Sequence, residues 1–287
     1  MNTLSVCLLV SGNLGLVSLA HVFGKDNAEV YSVFTDKKSD GIIDFCKKNA
    51  ISCFVGNPRN HAADVFLKTF SKRPTLLLSV NYLFLIEEDL ISYPTRYAVN
   101  IHGSLLPKYR GRTPHVWAII NNEKETGITA HLITTECDKG GILFQEKMPV
   151  AKKDTGGSVL KKYNEVYPRI IDNVISAILN DSVKVTEQDE TKATYYPKRT
   201  PEDGEIDFKW QKERISNWVR AMAPPEYPGA FFYDGDTKIV ISRLEFSDVG
   251  FSPGMQDGTV ISKNENSYII KTPNGCVRLF KYMLETN

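Results

Sequence analysis

The chain has 287 residues, 42% of them hydrophobic and 24% charged, and a formal net charge of +1. That length suits one large domain or two ordinary ones with a buried core, and the composition is that of a globular protein in water. Near-neutral charge argues against a broad nucleic-acid-binding face, which needs clustered Lys and Arg, and no apolar run approaches the roughly 20 residues that span a bilayer.

In chain order, the apolar start Leu4–Val10 reads as a first β-strand and not a leader, because it lacks a basic n-region and a small-residue cleavage site. Further strands are expected at Val30–Phe34, Thr75–Val80 and Ala98–His102. Helical spacing marks the connections Leu14–Phe23, Gly41–Asn49 and Ala62–Ser71. Alternation of this kind predicts a parallel sheet with crossover helices. Strands follow at Ile128–Thr134 and Ile142–Val150, then a long amphipathic helix over Val159–Leu179 with Pro168 as its kink or break. Val183–Lys198 is polar and irregular, a connector. Gln211–Ala223 carries a helical stripe of Ile215, Trp218, Val219 and Met222. The tail holds short β runs, Ala230–Tyr233, Lys238–Leu244, Gly258–Ser262, Ser267–Lys271 and Val277–Tyr282, which predict a small antiparallel barrel.

The chemistry concentrates at the end of one strand. Asn100 and His102 stand two residues apart after Tyr97-Ala98-Val99, so a strand's period of two puts both on one face. The carboxyl end of a buried strand is where open α/β sheets keep their chemistry. Asn offers a neutral amide donor, and His a group that shuttles protons near neutral pH. Asp138 follows in the turn Cys137-Asp138-Lys139-Gly140-Gly141. Asn, His and Asp are equipment for transferring an acyl group to an amine. His115 and His131 lack such a context and read as structural. The turn Ser11-Gly12-Asn13 is a tight βα turn and no dinucleotide fingerprint. Five cysteines, odd in number and without CxxC spacing, suit reduced thiols in the cytoplasm. No HExxH or paired-Cys spacing supports a metal.

Asn-Ile-His-x-Ser-Leu-Leu-Pro at 100–107, Arg110-Gly111, Glu-Thr-Gly-Ile-Thr at 125–129 and Asp-x-Gly at 138–140 together resemble the formyltransferase family that uses N10-formyltetrahydrofolate. The resemblance is strongest over Leu76–Phe144 and Tyr195–Phe232. It implies a Rossmann-like catalytic domain over residues 1–200 and an OB-like β domain over 201–287. It also implies Asn100, His102 and Asp138 as the catalytic set, needing no metal. The loop Asn81, Tyr82, Leu83 is expected to read the pterin with its backbone. Lys108-Tyr109-Arg110-Gly111-Arg112-Thr113-Pro114 and the block from Tyr195 to Phe208 resemble the nucleotide-sugar N-formyltransferases, particularly the type acting on UDP-4-amino-4-deoxy-arabinose.

The expected acceptor is therefore the amino group of a nucleotide-linked deoxyamino sugar, of the sort used in surface polysaccharides. Ser104, Lys108, Arg110, Arg112, Thr113, Tyr196 and Arg199 are its candidate contacts, with Arg110 and Arg112 set to pair with phosphate. Expected partners are that sugar, the folate and, as an option, a second copy of the chain, but no nucleic acid and no membrane. The main alternative is a methionyl-tRNA formyltransferase. Against it, the connection Thr35–Gly41 is too short to hold the basic insertion of those enzymes. A formyltetrahydrofolate hydrolase or an inactive folate-binding module is the alternative of another class.

Overall fold

The computed structural model describes residues 3–283, which form two interleaved compact units. The first comprises residues up to 111 together with 127–147 and 162–195; the second comprises 112–126, 148–161 and the chain from 196 onward.

The first unit is built on a seven-stranded sheet in the order β3-β2-β1-β4-β5-β7-β8. β1 (Leu4–Val10) is apolar on both faces and buried, as a central parallel strand must be. It lies between β2 (Ala28–Thr35) and β4 (Leu76–Val80), parallel to both. β3 (Cys53–Val55), a three-residue edge strand too short to show a pattern, was not expected. β5 (Tyr97–His102) continues the parallel set beside β4. The strand order changes direction between β1 and β4, so the loops after β1, β4 and β5 open on one edge of the sheet at a topological switch point. Connections α1 (Gly12–Phe23) and α2 (Asp40–Lys48) form as the spacing predicts. The run 62–71 yields only one turn, α3 (Asp64–Leu67), and a second short turn, α4 (Glu88–Ile91), follows β4.

Past β5 the chain makes a short strand β6 (Arg110–Gly111) and a helix α5 (Pro114–Ile120) absent from the sequence reading. β7 (Glu125–Leu132) returns antiparallel to β5, and β8 (Ile142–Pro149) closes that edge. α6 (Gly156–Leu179) runs unbroken through Pro168, so of the expected kink or break the break does not occur. Its apolar stripe is buried, Tyr163 donates to the Gly103 carbonyl at 2.6 Å, and this packing outweighs the one backbone bond a proline removes. The connector is not structureless: β9 (Tyr195–Tyr196) pairs with β6.

In the second unit, α7 (Lys212–Ala221) buries Ile215 and Val219. The tail is a five-stranded antiparallel sheet in the order β10-β11-β14-β13-β12, formed by β10 (Ala230–Asp234), β11 (Thr237–Ser247), β12 (Val260–Lys263), β13 (Ser267–Thr272) and β14 (Gly275–Lys281). The end strands β10 and β12 do not pair, so the expected barrel is an open half-barrel. Among the described residues, no helix is long and apolar enough to cross a membrane.

Candidate active site

The pairing of β5 with β7 assembles the site. Asn100 stands opposite His131, and His102 opposite Thr129. Directly opposed residues in an antiparallel pair share a face, so all four side chains lie together. Asp138 comes from the turn after β7, on a left-handed backbone at φ 57°. Its Oδ1 sits 3.5 Å from His102 Nδ1 and 3.6 Å from His131 Nε2. Its Oδ2 accepts the Gly111 N–H at 2.9 Å. All three side chains are nearly buried, at 8% exposure for His102, 3% for His131 and 9% for Asp138. Burial alone pushes the Asp138 carboxyl up. The neighbouring His102 and His131 rings and the Gly111 amide outweigh it and hold the group well below the usual carboxylate range.

The sequence-predicted trio is thus brought together, and His131, expected to be structural, sits among it. His102 has a further partner, since its Nε2 lies 2.9 Å from the Tyr109 carbonyl oxygen. Tyr109 is also left-handed, at φ 61°. A non-glycine residue in that region costs of order 1–3 kcal/mol unless its surroundings enforce it, and such residues collect at functional sites. Gln188, from the segment expected to be a mere connector, donates its amide to the carbonyls of Asp138 and Gly140 at 2.8 Å each. Its signal could not be read locally, because the partner lies 50 residues away in the chain.

Arg110 departs most from its expected role. Its side chain is fully buried, at 0% exposure. Nη2 donates to Gln188 Oε1 at 2.7 Å and to Glu190 Oε1 at 2.5 Å, Nη1 donates to Glu190 Oε2 at 2.9 Å, and Tyr195 hydroxyl takes another bond. With its charge met by Glu190 inside the chain, this guanidinium is not presented to a phosphate. Ser104 is similarly committed: buried, its hydroxyl donates to the Lys108 carbonyl at 2.7 Å. The Lys108 side chain is exposed.

The loop after β4 lies beside β5 at the switch point. Asn81, at φ 53°, donates its amide to the Ser11 carbonyl at 2.9 Å and ties this loop to the turn after β1. The Tyr82 ring packs against the core of Phe34, Leu77 and Leu90, its hydroxyl buried without a partner. Leu83 and Leu85 project outward, 45% and 55% exposed. Tyr82 therefore turns its side chain inward, while Asn81, exposed, commits its amide to the neighbouring turn.

The remaining candidates belong to the second unit. Arg112 is exposed, and its backbone amide bonds to the Tyr196 carbonyl at 3.2 Å. Thr113 is left-handed at φ 48°. The Tyr196 ring stacks on Trp117 at 4.9 Å between centroids, and its hydroxyl accepts from Asn121 at 2.7 Å. The Arg199 guanidinium lies 4.3 Å from the Trp218 ring centre and 5.5 Å from that of Trp117, and donates to the Asp203 carbonyl at 2.7 Å. Burial pulls its pKa down. The one set of three metal-capable groups among the described residues, His61, Asp64 and Asp89, includes none of these side chains.

Residues 9–175 match the Formyl transferase family, and residues 198–286 match the formyl transferase C-terminal domain. The chain belongs to the formyl transferase family. This formyl transferase is 32% identical over 259 residues to the bifunctional polymyxin resistance protein ArnA of Wigglesworthia glossinidia brevipalpis, covering 90% of the present chain but only 38% of that relative's length. Two solved structures share its fold. One is WlaRD, a sugar 3N-formyl transferase determined with dTDP and 5-N-formyl-THF, with TM-score 0.75, 22% identity and coverage of 99% of this chain and 100% of that one. The other is the N-formyltransferase of Helicobacter canadensis in complex with folinic acid and dTDP-3-aminofucose, with TM-score 0.75, 20% identity and coverage of 98% and 100%. All three side chains of the predicted trio fall inside the span matched by the family, as does His131.

Proposed function

We propose that this formyl transferase moves a formyl group from N10-formyltetrahydrofolate to the amino group of a nucleotide-linked deoxyamino sugar. The observation that carries the reading is the convergence of Asn100, His102 and Asp138 on one buried point at the sheet edge.

Attack of a neutral amine on the formyl carbon builds negative charge on the formyl oxygen. Asn100 is a fixed amide donor for that charge, and one such donor is worth roughly 3–4 kcal/mol in acyl transfer. His102 has its Nε2 engaged by Tyr109, so that nitrogen is not free to donate to the developing charge. Asp138 stays ionised. It faces the His102 ring and accepts, directly or through water, the proton that the nitrogen sheds once attack has made it cationic. As the oxyanion collapses, the bond from the formyl carbon to N10 breaks, the proton passes to N10 and tetrahydrofolate leaves. The folate fits the Asn81–Leu85 loop: exposed Leu83 and Leu85 give a flat heterocycle an apolar platform, and with Tyr82 turned inward and the Asn81 amide tied to Ser11, the backbone is left to read its edge.

For the acceptor, the reading rests on the sugar-modifying relatives and on the residues that resemble theirs, namely Lys108, Arg112, Thr113, Tyr196 and Arg199. Ser104 and Arg110 pass from the contact set to the supporting set. The five cysteines, all free, suit a reducing compartment, the cytoplasm. The test is an acceptor panel of UDP-, dTDP- and GDP-linked amino sugars with N10-formyltetrahydrofolate, and charged initiator tRNA as control. Amine-dependent release of tetrahydrofolate with one of the sugars supports the proposal. Formylation of the tRNA, or formate release with no amine present, overturns it in favour of the tRNA enzyme or the hydrolase.

A further inference from the structure

His131 lies outside the motif that carries Asn100 and His102, yet it is the residue whose ring Asn100 meets. Its Nδ1 sits 2.8 Å from the Leu132 carbonyl oxygen, an atom that only accepts, so Nδ1 carries the hydrogen. In the neutral ring Nε2 is then a bare acceptor. It lies 3.1 Å from Asn100 Nδ2, an atom that only donates. Both bonds specify the same tautomer; Asp138 Oδ1, 3.6 Å from the same nitrogen, is the competing partner and lies beyond hydrogen-bond reach.

His102 is wired the other way. Its Nε2 donates to the Tyr109 carbonyl, and its Nδ1 faces Asp138 Oδ1 at 3.5 Å. One carboxylate faces two imidazoles, and the partner atoms divide the roles. His102 is placed against the carboxylate, and His131 to accept from Asn100.

We propose that His131 is the positioning residue of the site, fixing the Asn100 amide by accepting one of its two N–H groups. Held so, the amide leaves its second N–H for the formyl oxygen. Without the acceptor the group can rotate by half a turn and offer its carbonyl, which repels a developing oxyanion. The inference rests on the formyl-transfer reading for its kinetic consequence, but not for its geometry.

Three measurements on the full chain test it. Imidazole nitrogen NMR of the native chain at neutral pH should find His131 protonated at Nδ1 and bare at Nε2. The Asn100 side-chain amide should exchange with solvent more slowly in the native chain than in H131L. In steady-state kinetics, H131L should lose about tenfold or more in turnover with both KM values within about twofold, whereas H131Q, which keeps an uncharged acceptor, should stay within about fivefold of native. In an N100A background the H131L change should cost almost nothing more, because its effect runs through Asn100. An Nε2–H tautomer, unchanged amide exchange in H131L, or an H131L penalty undiminished by N100A each overturns the proposal. If the native chain formylates no amino sugar, the formyl-transfer reading fails, and the two NMR readouts still decide this one. A poorly folding H131L leaves the tautomer and H131Q to do so.

Discussion

Replacing Arg110 with Met keeps an apolar stem of similar length and deletes the guanidinium. The exposed Glu190 carboxylate rehydrates and is left out of the sum. What counts is the pair of bonds to half-buried Gln188 Oε1, at 2.7 and 3.2 Å, from a donor with no exposure of its own. Both end on one acceptor atom and so count as a single bond to a charged group, about 1.5–3 kcal/mol. At roughly 2–4 °C per kcal/mol for chains of this size, R110M should melt about 3–12 °C below the native chain in calorimetry. A kinetic effect should accompany it. Arg110 anchors Gln188, and Gln188 holds the carbonyls of Asp138 and Gly140, so the carboxylate loosens. Turnover should fall roughly tenfold, a small misplacement being costly in a site that works by orientation, while the sugar KM stays near native. A tenfold rise in sugar KM with an unshifted melting temperature would refute this chain of supports and return Arg110 to the substrate.

Three further outcomes are expected. N100A should lower turnover by roughly 10²–10³-fold while the folate Kd, read by fluorescence titration, changes little; equal losses in both would remove the oxyanion role. D138N should cost roughly 10²-fold or more in turnover. Because the native carboxyl is held below its ordinary range, its stabilisation is present above about pH 4 and is lost as pH falls towards the folded value, so native and D138N melting temperatures should converge in acid; a gap constant from pH 8 to 3 would contradict the favoured carboxylate. R112A should raise the sugar KM about tenfold, leave the folate KM alone and show shallow salt dependence, since one diphosphate releases few ions. A fall of orders of magnitude between about 50 and 200 mM salt would point to a polyphosphate acceptor instead.

The parts of this architecture visible in the sequence are those written in local periodicity. Leu4–Val10 and Tyr97–His102 declare themselves by apolar runs ending in turns, and the shared face of Asn100 and His102 follows from a period of two. What stayed hidden depends on distant partners. Arg110 looks like a surface charge between glycine and tyrosine, and only the fold brings Gln188 and Glu190, about 80 residues on, around it. His131 looked structural because its role is set by register against β5, which no local pattern encodes. Gln188 sits in a stretch with no periodicity at all. α5 is only seven residues long, and although Thr113-Pro114 is a pair that opens helices, Thr113 is left-handed and its side chain makes no cap bond.

The antiparallel placement of β7 beside β5 has a consequence for how such an enzyme can change. The site depends on which residues of the two strands stand opposite, and on Tyr109 and Gly111 just past β5, but not on how the chain travels from 112 to 124. For the trio that stretch is an exchangeable cassette, carrying the acceptor candidates Arg112 and Thr113 and held by the buried face of α5, provided β7 re-enters in phase. An odd insertion within β7 ahead of Thr129 would set an apolar neighbour of His131 against Asn100 and turn the imidazole to the opposite face of the sheet. Variation in acceptor preference therefore has a cheap route through the cassette and a forbidden one through strand parity.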